Sequence, residues 1–232
     1  MTAIDPAGET QPRLRIFTSA AVNYLPKVRT RCRSVRRHHP EAVIGPALAD
    51  ERPAWVTVKG EPFDDVIEIS APGTRNWRPW TFKHNIVVLS TATKPFVFKH
   101  LFRRADCERA PFCDPDMALF SGADDILRSL DGTNIALTPC RTKPEKSCEA
   151  IVDNEISRLK WVAVNGGFIG VRNAPESRRF LDWRSGRTYR LCRADVAETT
   201  DGAIAEAGGN SVTAAAALAG IGALIFCPHF GQ

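Results

Sequence analysis

Short apolar runs alternate with segments of helical spacing along most of this chain, and that alternation is what most restricts its fold. Leu14–Thr18 reads as a strand. Asn23–His38 follows with Leu25, Val28, Cys32 and Val35 at helical spacing, and Pro40 ends it. Ala42–Leu48 is a second apolar run, Trp55–Val58 a candidate third strand and Val66–Ile69 another, ahead of a turn at Pro72-Gly73. Pro79–Leu101 is helical in pattern, with an interruption expected at Pro95. Arg109–Cys113 and Asn134–Thr138 read as strands, and Ser121-Gly122-Ala123-Asp124 fits a capping box opening a helix through Leu130. Cys148–Leu159 reads as helix, Val162–Val171 as an apolar run interrupted at Gly166-Gly167, and Asn173–Glu176 as the cap of a helix reaching about Leu191. Strands interleaved with helices predict an α/β domain built on a mainly parallel sheet.

At 232 residues, 44 % of them hydrophobic and 25 % charged, the chain can bury one core without staples. Three parts are expected: a disordered arm over 1–12, a folded domain over 13–195 and an Ala/Gly-rich tail over 196–232. Seven cysteines stand at irregular gaps with no C-x-x-C pair, which argues against a zinc ribbon and for buried thiols in a reducing compartment. Met1–Pro12 is polar and has no apolar core of a secretory signal. The apolar run Val212–Phe226 falls short of the roughly 20 residues a membrane span requires. A cytoplasmic protein is expected, with at most peripheral membrane contact.

The net charge of +5 conceals an asymmetry. Every Lys and Arg lies at or before Arg193, whereas the segment after it carries Asp195, Glu198, Asp201 and Glu206. A basic body suits an anionic ligand. The face of the first helix with Lys27, Arg29, Arg31, Arg33, Arg36 and Arg37 is either a solvated surface or a nucleic-acid contact. The absence of interleaved stacking aromatics and of any recognition motif speaks against nucleic acid. Phosphate-loop and dinucleotide glycine motifs are also missing.

The sharpest local feature is Cys113-Asp114-Pro115-Asp116 at the end of an apolar strand. In an extended segment, residues two apart point the same way, so both carboxylates can face one hard divalent ion, Mg²⁺ or Mn²⁺. Such an ion neutralises a diphosphate leaving group. The other reading is a turn with two solvated carboxylates. No nucleophile–base pair is visible, so the catalytic residue is unknown, and Cys113 reads as core.

Leu14–Ala20, Asn23-Tyr24-Leu25, Phe82–Pro95, Asp114–Asp116 and Asn165–Arg172, in this order, resemble bacterial glycosyltransferases of the nucleotide-diphospho-sugar (GT-A) fold, similar to glycosyltransferase family 8. The resemblance covers about Leu14 to Asp195. It implies a metal-dependent transferase that takes a sugar from a nucleotide-sugar donor, expected to be UDP-linked. The acceptor is open: a glycan, a lipid-linked sugar or a small molecule. By the same resemblance, Thr18, Ser19 and Tyr24 hold the nucleoside, with the tyrosine able to stack on the base or to serve as a core aromatic. Lys94 meets the diphosphate or is an exposed helix-end lysine. Asp114 and Asp116 bind the metal. Asn165 and Gly167 line the sugar or form a bulge.

The sequence departs from that pattern in four places. Pro111 interrupts the strand before the acidic pair, and Val88 stands where a glutamate is expected. Nothing after Asp195 matches the Asp-Gln helix start of the relatives, and His229 is not in the motif of their late metal-binding histidine. The C-terminal third is therefore expected to be divergent, or replaced through a change of frame. Three functions compete: an active transferase, an inactive nucleotide-sugar-binding domain and a basic nucleic-acid binder.

Overall fold

The sheet is organised around its most buried strand, β1 (Arg13–Ala20), whose residues from Arg15 onward are all buried. The computed structural model describes residues 13–156, 163–192 and 224–225. The strand order is β2 (Val43–Leu48), β1, β3 (Cys107–Cys113), β6 (Val164–Arg172), β5 (Ile135–Pro139). β1 pairs in parallel with β2 and β3, whereas β6 is antiparallel to both β3 and β5. Four strands thus share one direction and β6 opposes them. Ala118–Leu119, β4, pairs antiparallel with Leu224–Ile225, β7. The arm over 1–12 and nearly all of the tail lie outside the described residues, as does the boundary expected at 195.

Alternation along β1 sends successive side chains to opposite faces. Ile16 and Ala20 join Leu25, Val28, Cys32 and Val35 of α1 (Leu25–His38) in one core cluster. Phe17 joins Phe98, Phe112, Leu101 and Leu181 in the other, beneath α3 (Ile86–Leu101) and α6 (Pro175–Leu191). The Phe17 ring meets Phe98 and Phe112 edge-on at centroid distances of 4.8 and 5.2 Å. The helical spacing expected for α1 therefore holds, entered through a 3₁₀ turn at Val22–Tyr24. One charged residue joins its buried face: Arg31, 1 % exposed.

Several local expectations are corrected. Trp55–Val58 is not a strand but part of an irregular excursion between Pro53 and Pro62, and Trp55 is exposed. Prolines lack the donor a ladder needs, and Gly60 turns the chain at φ +79°. Val66–Ile69 contributes one bridge, Ala47 to Ile67, rather than a full strand. The helical stretch expected over Pro79–Leu101 divides at Phe82–Asn85, into α2 (Trp77–Thr81) and α3. Asn85 Oδ1 accepts from Val88 N at 2.9 Å and caps α3, which then runs unbroken through Pro95. That proline removes the usual donor to the Thr91 carbonyl without ending the helix. Similarly, Pro111 lies inside β3 rather than interrupting it.

The capping box expected at Ser121 does not form. The N-cap of α4 (Asp124–Gly132) is Ala123, with no side-chain cap, and its N–H is held at 2.9 Å by His39 Nε2. The helix expected from Cys148 is a short α-turn, α5 (Cys148–Ala150), continued as a π-helical turn over Ile151–Ile156, and residues 157–162 lie outside the described set. Asn173–Glu176 does precede a helix, but α6 starts on Pro175, with Ala174 as an N-cap that has no side-chain bond.

Candidate functional site

A cleft of about 230 Å³ opens at the C-terminal ends of β1 and β3, the edge where open α/β sheets bind ligands. Ser19 and Ala20 of β1 and Asn23 and Tyr24 of the 3₁₀ turn form one wall. The first turns of α3 supply Ile86, Val87, Ser90, Thr91 and Lys94, and Asp114, Pro115 and Asp116 supply the floor beyond β3.

Both carboxylates reach this cleft, though not by the extended alternation expected. The chain turns after Asp114, whose carbonyl accepts from Met117 N at 3.1 Å, and Pro115 and Asp116 occupy the middle of that turn. Proline at the second position of such a turn presets its φ. The two aspartates are therefore placed by a proline-stiffened β-turn.

Lys94 is the cation of the site. Its side chain is only 6 % exposed, yet Nζ lies 3.5 Å from Asp114 Oδ1, 3.0 Å from the Gly166 carbonyl and 4.3 Å from the centroid of the Phe112 ring. It is thus a buried, paired ammonium rather than an exposed helix-end lysine. Ser19 Oγ and Thr93 Oγ1, 3.1 Å apart, tie β1 to the same helix.

Asn165 and Gly167 are brought beside the acidic turn without themselves lining the cleft. Asn165 Oδ1 accepts from Gly167 N at 2.8 Å, and the Gly167 carbonyl accepts from Asp114 N at 2.8 Å. The backbone of β6 thereby fixes the start of the turn that carries both carboxylates. Tyr24 lines the cleft, with Lys27 Nζ 4.7 Å over its ring. Thr18 does not line the cleft either: it is fully buried, and only the last two residues of β1, Ser19 and Ala20, reach the cleft wall.

Two residues that shape the site had no place in the motif. Asp50, just beyond β2, accepts the Val22 N–H on both carboxylate oxygens at 3.1 and 3.0 Å, anchoring the turn that presents Asn23 and Tyr24. Arg31 lies under the sheet and donates to the Phe17 carbonyl at 3.2 Å. It also sits close enough to Cys113 to oppose, through its charge, the burial that pushes that thiol above its ordinary range. Cys113 is accordingly a core thiol.

Among the described residues there is no group of three or more His, Cys, Asp or Glu that could hold a metal unaided. Two carboxylates at a cleft do fit a hard divalent cation that draws its remaining oxygens from substrate phosphates and water. His229, considered as a further ligand, lies outside the described residues.

No protein-family model and no curated protein matches the chain. Solved structures do. A galactosyltransferase, LgtC, in complex with donor and acceptor sugar analogs aligns with TM-score 0.53 at 14 % identity, over 83 % of this chain and 69 % of that one. The apo form of the glycosyltransferase GlyE from Streptococcus pneumoniae TIGR4 aligns with TM-score 0.51 at 16 % identity, over 88 % of this chain and 45 % of that one. The present chain therefore spans about two thirds of the first and less than half of the second. With its strand order, its opposed β6 and its cleft at the strand ends, the chain has the GT-A fold of glycosyltransferases.

Proposed function

We propose that this protein is a glycosyltransferase that takes a sugar from a nucleoside-diphosphate donor, UDP-linked, and passes it to an acceptor bound at the same cleft. One observation carries the reading: Asp114 and Asp116 from the turn after β3 and Lys94 from α3 meet in one cleft at the carboxyl edge of the sheet. Two acids and a cation side by side match a metal–diphosphate better than they match a neutral ligand. The fold shared with LgtC and GlyE supports the class of reaction.

In this reading Asp114 and Asp116 hold Mn²⁺ or Mg²⁺, which when bound neutralises charge growing on the departing diphosphate. Lys94 contributes a fixed positive charge at the same place. Its stem is buried and its ammonium is already oriented by Gly166 and Asp114, so little reorganisation is needed during the reaction. Tyr24 offers a ring face to the base, held in place by the Asp50 anchor on Val22. Asn165 and Gly167 act by holding the acidic turn. Positioning and electrostatics would then supply most of the rate.

A cytoplasmic setting belongs to the same proposal. Cys32, Cys107 and Cys113 are buried free thiols, as suits a reducing compartment, and burial pushes the Cys107 thiol up to about 12. No helix among the described residues is long and apolar enough to cross a membrane. The basic face of α1 is partly neutralised, Arg29 by Glu61 at 2.6 Å and Arg36 by Asp64 at 2.5 Å, and Arg31 is buried, which weakens the nucleic-acid alternative.

A thermal-shift screen of nucleotide sugars with and without Mn²⁺ tests the proposal, since a ligand that binds only the folded state raises its melting temperature. A metal-dependent rise with UDP-sugars, lost in Asp114→Ala and Asp116→Ala, is expected. Donor binding without sugar transfer or donor hydrolysis would assign the chain to the inactive binding domain instead. No stabilisation by any nucleotide would refute both.

A further inference from the structure

Beside the mouth of the cleft, the surface combines exposed apolar side chains with cations that pair with no carboxylate among the described residues. Phe82, in the turn between α2 and α3, is 92 % exposed, and Val87, one of the cleft residues, is 73 % exposed. The end of α6 is fastened to the same place. Tyr189 stacks on Trp80 with ring centroids 5.9 Å apart, and Cys192 Sγ reaches the Val88 carbonyl at 3.8 Å. That contact brings the half-exposed Leu191 and the exposed Arg190 to the border of the α2–α3 turn.

The charge pattern is one-sided. No Asp or Glu occurs between Glu68 and Asp106, nor between Asp182 and Cys192. Among the described residues, Arg78, Lys83 and Arg190 have no carboxylate at ion-pair distance. Several other surface arginines do find partners, among them Arg109 with Asp131 and Arg179 with Glu176. A phenylalanine almost wholly in water in the turn between two helices, with Arg78 and Lys83 on the same short stretch of chain, suits the boundary between lipid headgroups and acyl chains. There an aromatic ring finds apolar surroundings while basic residues meet lipid phosphates.

We propose that this face docks on an anionic lipid bilayer, with Phe82 and Val87 entering the headgroup boundary and Arg78, Lys83 and Arg190 meeting its phosphates. Val87 belongs to both the docking face and the cleft, so docking opens the cleft at the membrane surface, within reach of an acceptor carried by a lipid. The docking surface stands on its own exposure and charge, whether or not the donor reading holds.

The test is flotation of the full chain with phosphatidylcholine vesicles, with and without phosphatidylglycerol. The expected result is binding only when phosphatidylglycerol is present, falling as salt rises. It should weaken about tenfold or more in Phe82→Ser and in the pair Arg78→Glu/Lys83→Glu. Melting temperature and nucleotide binding serve as controls, and both stay as in the parent protein. Absence of vesicle binding overturns the proposal. So does binding that these variants leave unaltered, since another surface would then be responsible. Self-association that the variants abolish, without vesicle binding, assigns the face to a second copy of the chain and likewise overturns it.

Discussion

Replacing Lys94 by Met keeps most of the buried stem and deletes the charge, which separates the electrostatic role of this residue from its packing. Two unit charges 3.5 Å apart interact by about 5 kcal/mol at an effective dielectric near 20. The Asp114 side chain is 33 % exposed, and water screens much of that value. The bond to the Gly166 carbonyl is charge-assisted, worth about 1.5–3 kcal/mol. Recovering the cost of burying an ammonium offsets part of both. A net loss of about 1–3 kcal/mol follows, and at this chain length each kcal/mol lowers the melting temperature by about 2–4 °C. Donor affinity should fall further than stability alone explains. Loss of one phosphate-facing charge worth about 2 kcal/mol raises Kd roughly thirtyfold. Isothermal titration with UDP and Mn²⁺ measures this at a temperature where the variant is folded. Lys99→Met is the control, because Lys99 pairs with Asp182 at 2.7 Å and does not line the cleft. If folded Lys94→Met binds UDP within twofold of the parent, Lys94 is not the diphosphate's partner and the electrostatic argument fails.

Two further outcomes concern stability. Arg15 and Asp106 form a buried pair at 2.5 Å with side chains 6 and 8 % exposed, so Asp106→Asn leaves a buried guanidinium uncompensated and should cost about 3–5 kcal/mol in urea unfolding near neutral pH. Burial alone would raise the Asp106 carboxyl, but the hydrogen bond and charge of Arg15 more than offset it and hold it below its ordinary value. The stabilisation is therefore complete above the unfolded carboxylate range, near pH 4, and is lost as pH falls through the lower folded value. The gap between parent and variant should narrow in acid; a gap independent of pH would contradict this assignment. At Gly45 an added Cβ would lie 2.4 Å from the Asp65 carbonyl oxygen, so Gly45→Ala should cost about 1–3 kcal/mol. Gly132→Ala meets open space and should change stability by at most about 0.5 kcal/mol; equal effects at the two sites would count against the packing argument.

The strands and α1 were legible because a strand buried on both faces leaves an apolar run, and because Leu25, Val28, Cys32 and Val35 keep one helical face. Arg31 was readable in principle: it falls three residues after Val28 and four before Val35, on the same stripe, but charge argued for the solvent side. Strand direction was not legible, since an apolar run carries no arrow. The segment between β5 and β6 read as a single helix over Cys148–Leu159, whereas its described residues form short helical turns, and the two strands pair antiparallel. Of the candidate site, the acidic pair stood out by its spacing, whereas Lys94 entered only through the family resemblance. Thr18 was not separable from Ser19 without knowing where along β1 the cleft opens. Asp50 carried no motif, because its role depends on the end of β2 lying beside the end of β1.

The reversed β6 has a mechanical consequence. Its first residues lie at the same edge of the sheet as the last residues of β3 and β5, so the excursion between Pro139 and Val164 leaves and re-enters the sheet next to the acidic turn. Cys140 N bonds to the Ala163 carbonyl at 3.0 Å and closes the base of that excursion, while Gly167 latches Asp114 from within the ladder. The base is clamped, and the described residues beyond it, 141–156, are not part of the ladder. Homologues could therefore lengthen, shorten or rewrite that span while the spacing of the two carboxylates stays fixed.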